Sequence, residues 1–284
     1  ARRRGLPRAR RALGAVSEAA RRTACAAALA AAAAAHGAVA AAVTPSGDSV
    51  PENLLRIELH LPRPLPHPLA MAHVRLVDER GEPIAGALLD LALPGDGGRT
   101  ITLLLHPARV KTGVGANLAM GRALRAGHDV GLIVDDPELP APIRKRWHVA
   151  QAREEGLLAR AWRLAVPAAG SRAPLRVGLD AALTSSSVGL IAVRAPGGER
   201  VAGVASLHRG ETVWEFVPTR PWRAGRHALV VHPRLEDVAG NRSCTPFETT
   251  RLSAIPCVLA ERGFDVPRPA PRRARGPGAQ ALRR

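Results

Sequence analysis

The sequence predicts an all-β chain of two tandem β-sandwich domains after an N-terminal signal peptide. Three observations predict it. Short stretches alternate apolar and polar side chains with a period of two. These stretches recur in the same order in a second half. An arginine-rich start runs into an uncharged, alanine-rich segment. The expected layout is a signal peptide and basic leader over 1–42, sandwiches over 50–136 and 162–250, a connector over 137–161, and a basic Pro/Arg-rich tail over 251–284.

The first strand is expected over 54–61, where Leu55, Ile57, Leu59 and Leu61 point one way and Arg56, Glu58 and His60 the other. More strands are expected over 73–77, 84–93, 100–105 and 130–133, separated by turns such as Asp78-Glu79-Arg80-Gly81 and Pro94-Gly95-Asp96-Gly97-Gly98. The second half repeats the order. Val50-Pro51 corresponds to Val166-Pro167, Arg56-Ile57-Glu58-Leu59 to Arg176-Val177-Gly178-Leu179, and Gly81 to Gly86 to the run Gly198 to Gly203. Thr102 to Pro107 parallels Val213 to Pro218, and Leu124-Arg125-Ala126-Gly127-His128 parallels Trp222-Arg223-Ala224-Gly225-Arg226. The first copy carries an extra stretch from Val110 to Ala123. Between the copies, Arg144-Lys145-Arg146-Trp147 and Ala152-Arg153-Glu154-Glu155 read as an interdomain connector with one helical turn.

In the second copy, Pro167, Leu175 to Leu179, Gly203, Trp214-Glu215-Phe216-Val217-Pro218, Ala224-Gly225 and Leu235-Glu236-Asp237-Val238-Ala239-Gly240-Asn241 carry a family pattern. A strand ending in F-x-P leads to a glycine-centred hairpin and an L-x-D-x-x-G-N turn. The chain thereby resembles the bacterial immunoglobulin (Ig)-like domains of surface-layer-type proteins, over about residues 50 to 248 and more loosely in the first half. The resemblance implies two tandem immunoglobulin-like β-sandwich domains with Greek-key topology, in exported envelope proteins that mostly lack catalysis. Where the family commonly has Tyr after the hairpin glycine, this chain has Asp129 or Val130 in one copy and His227 or Ala228 in the other. The usual Phe of the first strand is Leu61 or Leu179, so smaller side chains are expected in the cores. Independently of any family, Asp237 and Asn241 around Ala239-Gly240 suit a tight turn, because Asx side chains bond nearby backbone.

Arginines from Arg2 to Arg22 precede the uncharged run from Thr23 to Val43, the order a secretory signal needs. Small residues at Ala38 and Ala40, or Ala40 and Ala42, supply an A-x-A cleavage pattern, so the mature chain is expected to begin near Ala41 or Val43. Cleavage would remove Cys25 and leave Cys244 and Cys257, either bridged across a short loop or as free thiols. The net charge of +17 is concentrated at the two ends. The first 22 residues hold eight Arg against one Glu, and the last 24 hold seven Arg against one Glu and one Asp. With four Trp, three Phe and no Tyr, base-stacking and sugar-stacking platforms have little material.

No catalytic, cofactor-binding or metal-ligating residues are expected. The ten His are scattered singly, none in an H-E-x-x-H spacing, and His60 lies on a polar strand face. Gly113-Val114-Gly115 with Asp135 downstream lacks the third glycine of a dinucleotide fingerprint and reads as an inserted loop. Ser185-Ser186-Ser187 has no adjacent base. Asp135, Asp136 and Glu138 end one copy and Glu236, Asp237 and Asn241 the other; such loops hold Ca²⁺ when they converge, and solvated turns are the simpler reading.

The expectation is therefore an exported, non-catalytic module of the cell envelope, acting as structural spacer or protein-interaction domain. Its partner would be an envelope protein or polysaccharide, with nucleic acid disfavoured and membrane contact only through the signal segment. Two other readings stay open. One is binding of an anionic polymer (polysaccharide, lipid headgroup or nucleic acid) by the tail arginines Arg268, Arg272, Arg273, Arg275, Arg283 and Arg284, weakening with salt. The other is an enzyme whose site is assembled only in three dimensions.

Overall fold

The computed structural model describes residues 40–113, 116–243, 245, 247 and 259–268. The leader up to residue 39, all three cysteines and the arginines beyond Arg268 lie outside the described residues. The first sandwich is built from β1 (Ala42–Thr44), β2 (Ser49–Pro51), β3 (Arg56–His60), β4 (Val74–Val77), β5 (Leu88–Gly95), β6 (Thr100–Leu105), β7 (Asp129–Val134) and β8 (Ile143–Ala150). The second uses β9 (Arg163–Ala165), β10 (Leu175–Gly178), β11 (Ile191–Arg194), β12 (Gly203–His208), β13 (Val213–Pro218), β14 (Gly225–Val231) and β15 (Ala260–Val266).

Strand order identifies the fold. One sheet of the first sandwich runs β1-β3-β6-β5 and the other β2-β8-β7-β4; the second sandwich gives β9-β10-β13-β12 and β11-β14-β15. In each half this is an A-B-E-D sheet facing a C-F-G sheet, the constant-type immunoglobulin arrangement. In the first half, β2 adds in parallel beside β8.

The repeat read from sequence is reproduced in the pairing of β3 with β6 and of β10 with β13. Arg56 faces Leu104 across β3 and β6, and Arg176 faces Glu215 across β10 and β13, as the aligned segments require. The bridges Val77 to Pro83 and Arg194 to Arg200 are likewise equivalent.

Several boundaries differ from expectation. The stretch expected as a connector contains β8, which pairs with β7 over six residues and buries Ile143, Trp147 and Val149. Its basic outward residues hide the period-two burial of those three. The helical turn expected there is a single 3-10 turn at Ala159–Ala161. The expected tail contains β15, which pairs with β14 over seven residues and buries Phe264 and Val266. Charged residues alternate with the buried ones, so the arginine-rich composition masks the strand. At the other end, β1 takes Ala42 from the expected leader and pairs it with His60. The strand expected from residue 84 begins instead at Leu88, after a turn through Gly86 at φ +60°.

Each sandwich has its own core. Ile57, Leu59, Leu103, Leu105, Leu132 and Trp147 anchor the first, Leu175, Val177, Trp214, Trp222, Leu229 and Phe264 the second. Full burial of each aliphatic side chain contributes about 1.5–3 kcal/mol. All four tryptophans are buried with the indole N–H satisfied, by Pro45 O, Asp180 Oδ1, Val188 O and Ala173 O for Trp147, Trp162, Trp214 and Trp222 respectively. Val130 and His227 occupy equivalent places in the two copies, each facing the buried aromatic of the last strand, Trp147 and Phe264. The buried His227 ring stacks on Phe264 at 5.6 Å and meets Trp222 edge-on at 5.7 Å.

Candidate functional site at the interdomain joint

The two sandwiches belong to one compact unit that begins at Ala41, and its polar burial concentrates where they meet. Main-chain atoms carry the first link. Leu55 N–H donates to Val238 O at 2.9 Å and Val238 N–H donates to Ala182 O at 3.0 Å, so the 235–241 turn is held by both domains. Gly240, at φ +80°, completes the fit: a Cβ there would lie 2.7 Å from Leu55 Cδ2.

Arg153, just past β8, is the hub of the side-chain network. Its backbone N–H donates to Asn53 Oδ1 at 2.9 Å, and its carbonyl accepts from Asn53 Nδ2 at 2.7 Å and Asn241 Nδ2 at 2.9 Å. Its guanidinium donates from Nε to Asp237 Oδ2 and from Nη2 to Asp180 Oδ2, both at 3.1 Å. Asn53, Asp237 and Asn241 are fully buried. Asp237 Oδ1 accepts the N–H groups of Ala239 and Asn241 at 2.9 and 2.8 Å, the Asx-turn geometry the sequence suggests. Burial pushes its carboxyl above the ordinary value of 3.8, against the lowering effect of the Asn241 side chain, the backbone N–H groups and Arg153.

Three carboxylates close the outer contacts. Glu211 Oε2 accepts Ser46 N–H at 2.8 Å and its Oε1 accepts the Ser46 hydroxyl at 2.6 Å, while Arg56 pairs with Glu236 at 2.6 Å. Glu58, expected on a polar strand face, is buried: Ser185 donates to it from backbone at 3.0 Å and from its hydroxyl. Gly47 and Gly210 touch backbone to backbone; a Cβ on Gly210 would lie 2.9 Å from Gly47 Cα.

Of the other residues singled out in sequence, Ser185 alone reaches the joint, bonded to an acceptor carboxylate. Asp135, Asp136 and Glu138 follow β7 at the Ile143 end of β8, whereas Asn53 and Arg153 gather at its Ala150 end; the two acid clusters do not converge. Among the described residues, no group of three His, Cys, Asp or Glu has metal-binding geometry. Gly113 N–H donates to Asn117 Oδ1 within the inserted stretch, His60 pairs with Thr44, and Arg268 is exposed. A cleft of about 430 Å³ in the first sandwich is lined by Arg80, Arg109, Arg122, His128 and several acids, with no hydroxyl or thiol among its lining residues. Among the described residues no helix is long and apolar enough to cross a membrane.

Sequence reasoning missed Asn53, Arg153, Asp180 and Glu211. The available signal was Asn53, a polar residue between the apolar Val50 and Leu54-Leu55, whose amide must be satisfied if that run is buried.

No family model and no curated protein matches the chain. Solved structures that it resembles include two tandem-Ig structures of titin. The A164-A165 pair is 12% identical over 78% of this chain and 91% of that one, with a TM-score of 0.25. Titin A168169 is 9% identical over 79% of this chain and 95% of that one, at 0.24. The first two domains of Rst are 8% identical over 78% and 94%, at 0.23. The fold rests on strand order and register, not on these superpositions.

Proposed function

We propose that this chain is an exported, non-catalytic Ig-like module of the bacterial cell envelope, acting as a rigid two-domain spacer that presents its faces and loops to an envelope protein or polysaccharide. The observation that carries the spacer reading is the joint: main-chain hydrogen bonds, a buried Asn–Arg–Asp network and a glycine-to-glycine backbone contact leave the two sandwiches little freedom to swivel. Interdomain contacts within one chain otherwise resemble transient interfaces and permit relative motion. Export is supported by the arginine-then-alanine order of the first 43 residues, and the envelope setting by the resemblance of the second copy to surface-layer-type modules.

Small-angle scattering and NMR relaxation on the purified chain test rigidity. A single extended shape and one shared tumbling time are expected; independent tumbling of the two sandwiches overturns the spacer reading. Cell fractionation with sequencing of the mature N-terminus tests export, for which a start near Ala41 or Val43 outside the cytosol is expected. Full-length chain in the cytosol refutes it.

A further inference from the structure

The two copies carry opposite charge at equivalent places on the outer face of the C-F-G sheet. In the second sandwich, β15 presents Glu261 and Asp265, each paired with an arginine: Arg194 with Glu261, and Arg226 with Asp265 at 2.9 Å. In the first, β8 presents Arg144, Arg146 and His148 at the positions equivalent to Glu261, Gly263 and Asp265. Arg144 lies opposite Ile133 of β7, and Ile133 in turn lies opposite Arg75 of β4; Arg146 lies opposite Gly131. All three arginines are exposed, and β7 offers them an aliphatic side chain and a glycine in place of an acid. The acid on that face, Asp129, is taken by His148 at 3.1 Å. Of the other acids nearby, Asp90 of β5 lines a shallow pocket together with Arg75, and Asp135, Asp136 and Glu138 lie in the loop beyond the end of the sheet.

We infer that this face of the first sandwich binds an acidic polysaccharide, its carboxylate or sulfate groups engaged by Arg75, Arg144 and Arg146. Alternate residues on one strand lie about 7 Å apart, and strands two places apart about 10 Å, so the three guanidinium groups form a flat triangle that can engage successive anionic groups. Each guanidinium presents a planar donor fork suited to bidentate pairing with such groups. Polysaccharide is taken over nucleic acid as the occupant because the interaction-module reading sets the chain in the cell envelope; all four Trp, with Phe216 and Phe264, are buried in the cores, so recognition on this face is ionic rather than by stacking. The site is distinct from the basic tail and belongs to the folded sheet. It deepens the interaction-module reading and rests on it for its partner.

The test measures binding of the full chain to heparin, to polygalacturonate, which carries carboxylates alone, and to poly(dT). The Arg75→Ser/Arg144→Ser/Arg146→Ser triple is expected to weaken heparin binding at least tenfold near physiological salt and to lower the slope of log K against log salt by about 2 to 3. A control triple, Arg272→Ser/Arg273→Ser/Arg275→Ser, removes the same charge from the tail and should cost under about threefold. Polygalacturonate binding assigns the site to carboxylates, and heparin binding alone assigns it to sulfates. Protection of Arg144 and Arg146 from phenylglyoxal by heparin reads the same site on the unmutated chain. Equal loss in both triples, absence of protection, or tighter binding to poly(dT) than to heparin overturns the inference. These outcomes are independent of rigidity and compartment, so a failure here leaves the spacer reading standing, and the reverse.

Discussion

Arg153 Nε meets Asp237 Oδ2 at 3.1 Å in the joint, with Asp237 wholly buried and Arg153 also holding Asp180. The pair links the end of β8 in one sandwich to the turn that follows β14 in the other.

Removing the arginine strands a buried carboxylate. Arg153→Ala is expected to cost about 3 kcal/mol, the lower end for breaking a buried pair from one side. Urea unfolding followed by tryptophan fluorescence reads the loss.

Asp237 also sets a pH dependence. Its carboxyl binds a proton more tightly folded than unfolded, so the folded state holds more protons between pH 3.8 and its raised value. Stability from this group therefore falls as pH rises through that interval. The stability advantage of the natural protein over Asp237→Asn is expected to shrink from pH 4 upward. Denaturation at stepped pH checks the sign, and a widening gap contradicts it.

Gly240→Ala places a Cβ against Leu55 at a positive-φ position. A loss of about 1–3 kcal/mol is expected, together with separation of one thermal transition into two as the joint loosens. Differential scanning calorimetry reads both.

His227 acts as a core ring. His227→Ala is expected to cost about 3 kcal/mol, as for truncation of a buried aromatic. His227→Phe keeps the stack on Phe264 and should change stability by no more than about 1.5 kcal/mol. Thermal unfolding of the two variants separates packing from the hydrogen bond between His227 Nδ1 and Gly225 O.

Legibility followed burial. Ile57 and Leu59, or Val177, declare a strand because one face is apolar and the other polar. Glu58 shows the limit of that reasoning: its strand was legible, yet a partner domain covers its polar face and Ser185 satisfies it. In β8 and β15 the same periodicity was present in Ile143, Trp147 and Val149, and in Phe264 and Val266, but intervening arginines and acids resembled a connector and a tail.

By itself the sequence determined the all-β class and the duplication, because alternation and turn chemistry are local and each copy repeats them. Only the tertiary structure decided the last strand of each sandwich, the joint around Arg153 and the charge reversal between the two outer faces. Those depend on which residues from distant segments come within hydrogen-bonding or Coulombic reach, and that is set by packing, which no local pattern encodes.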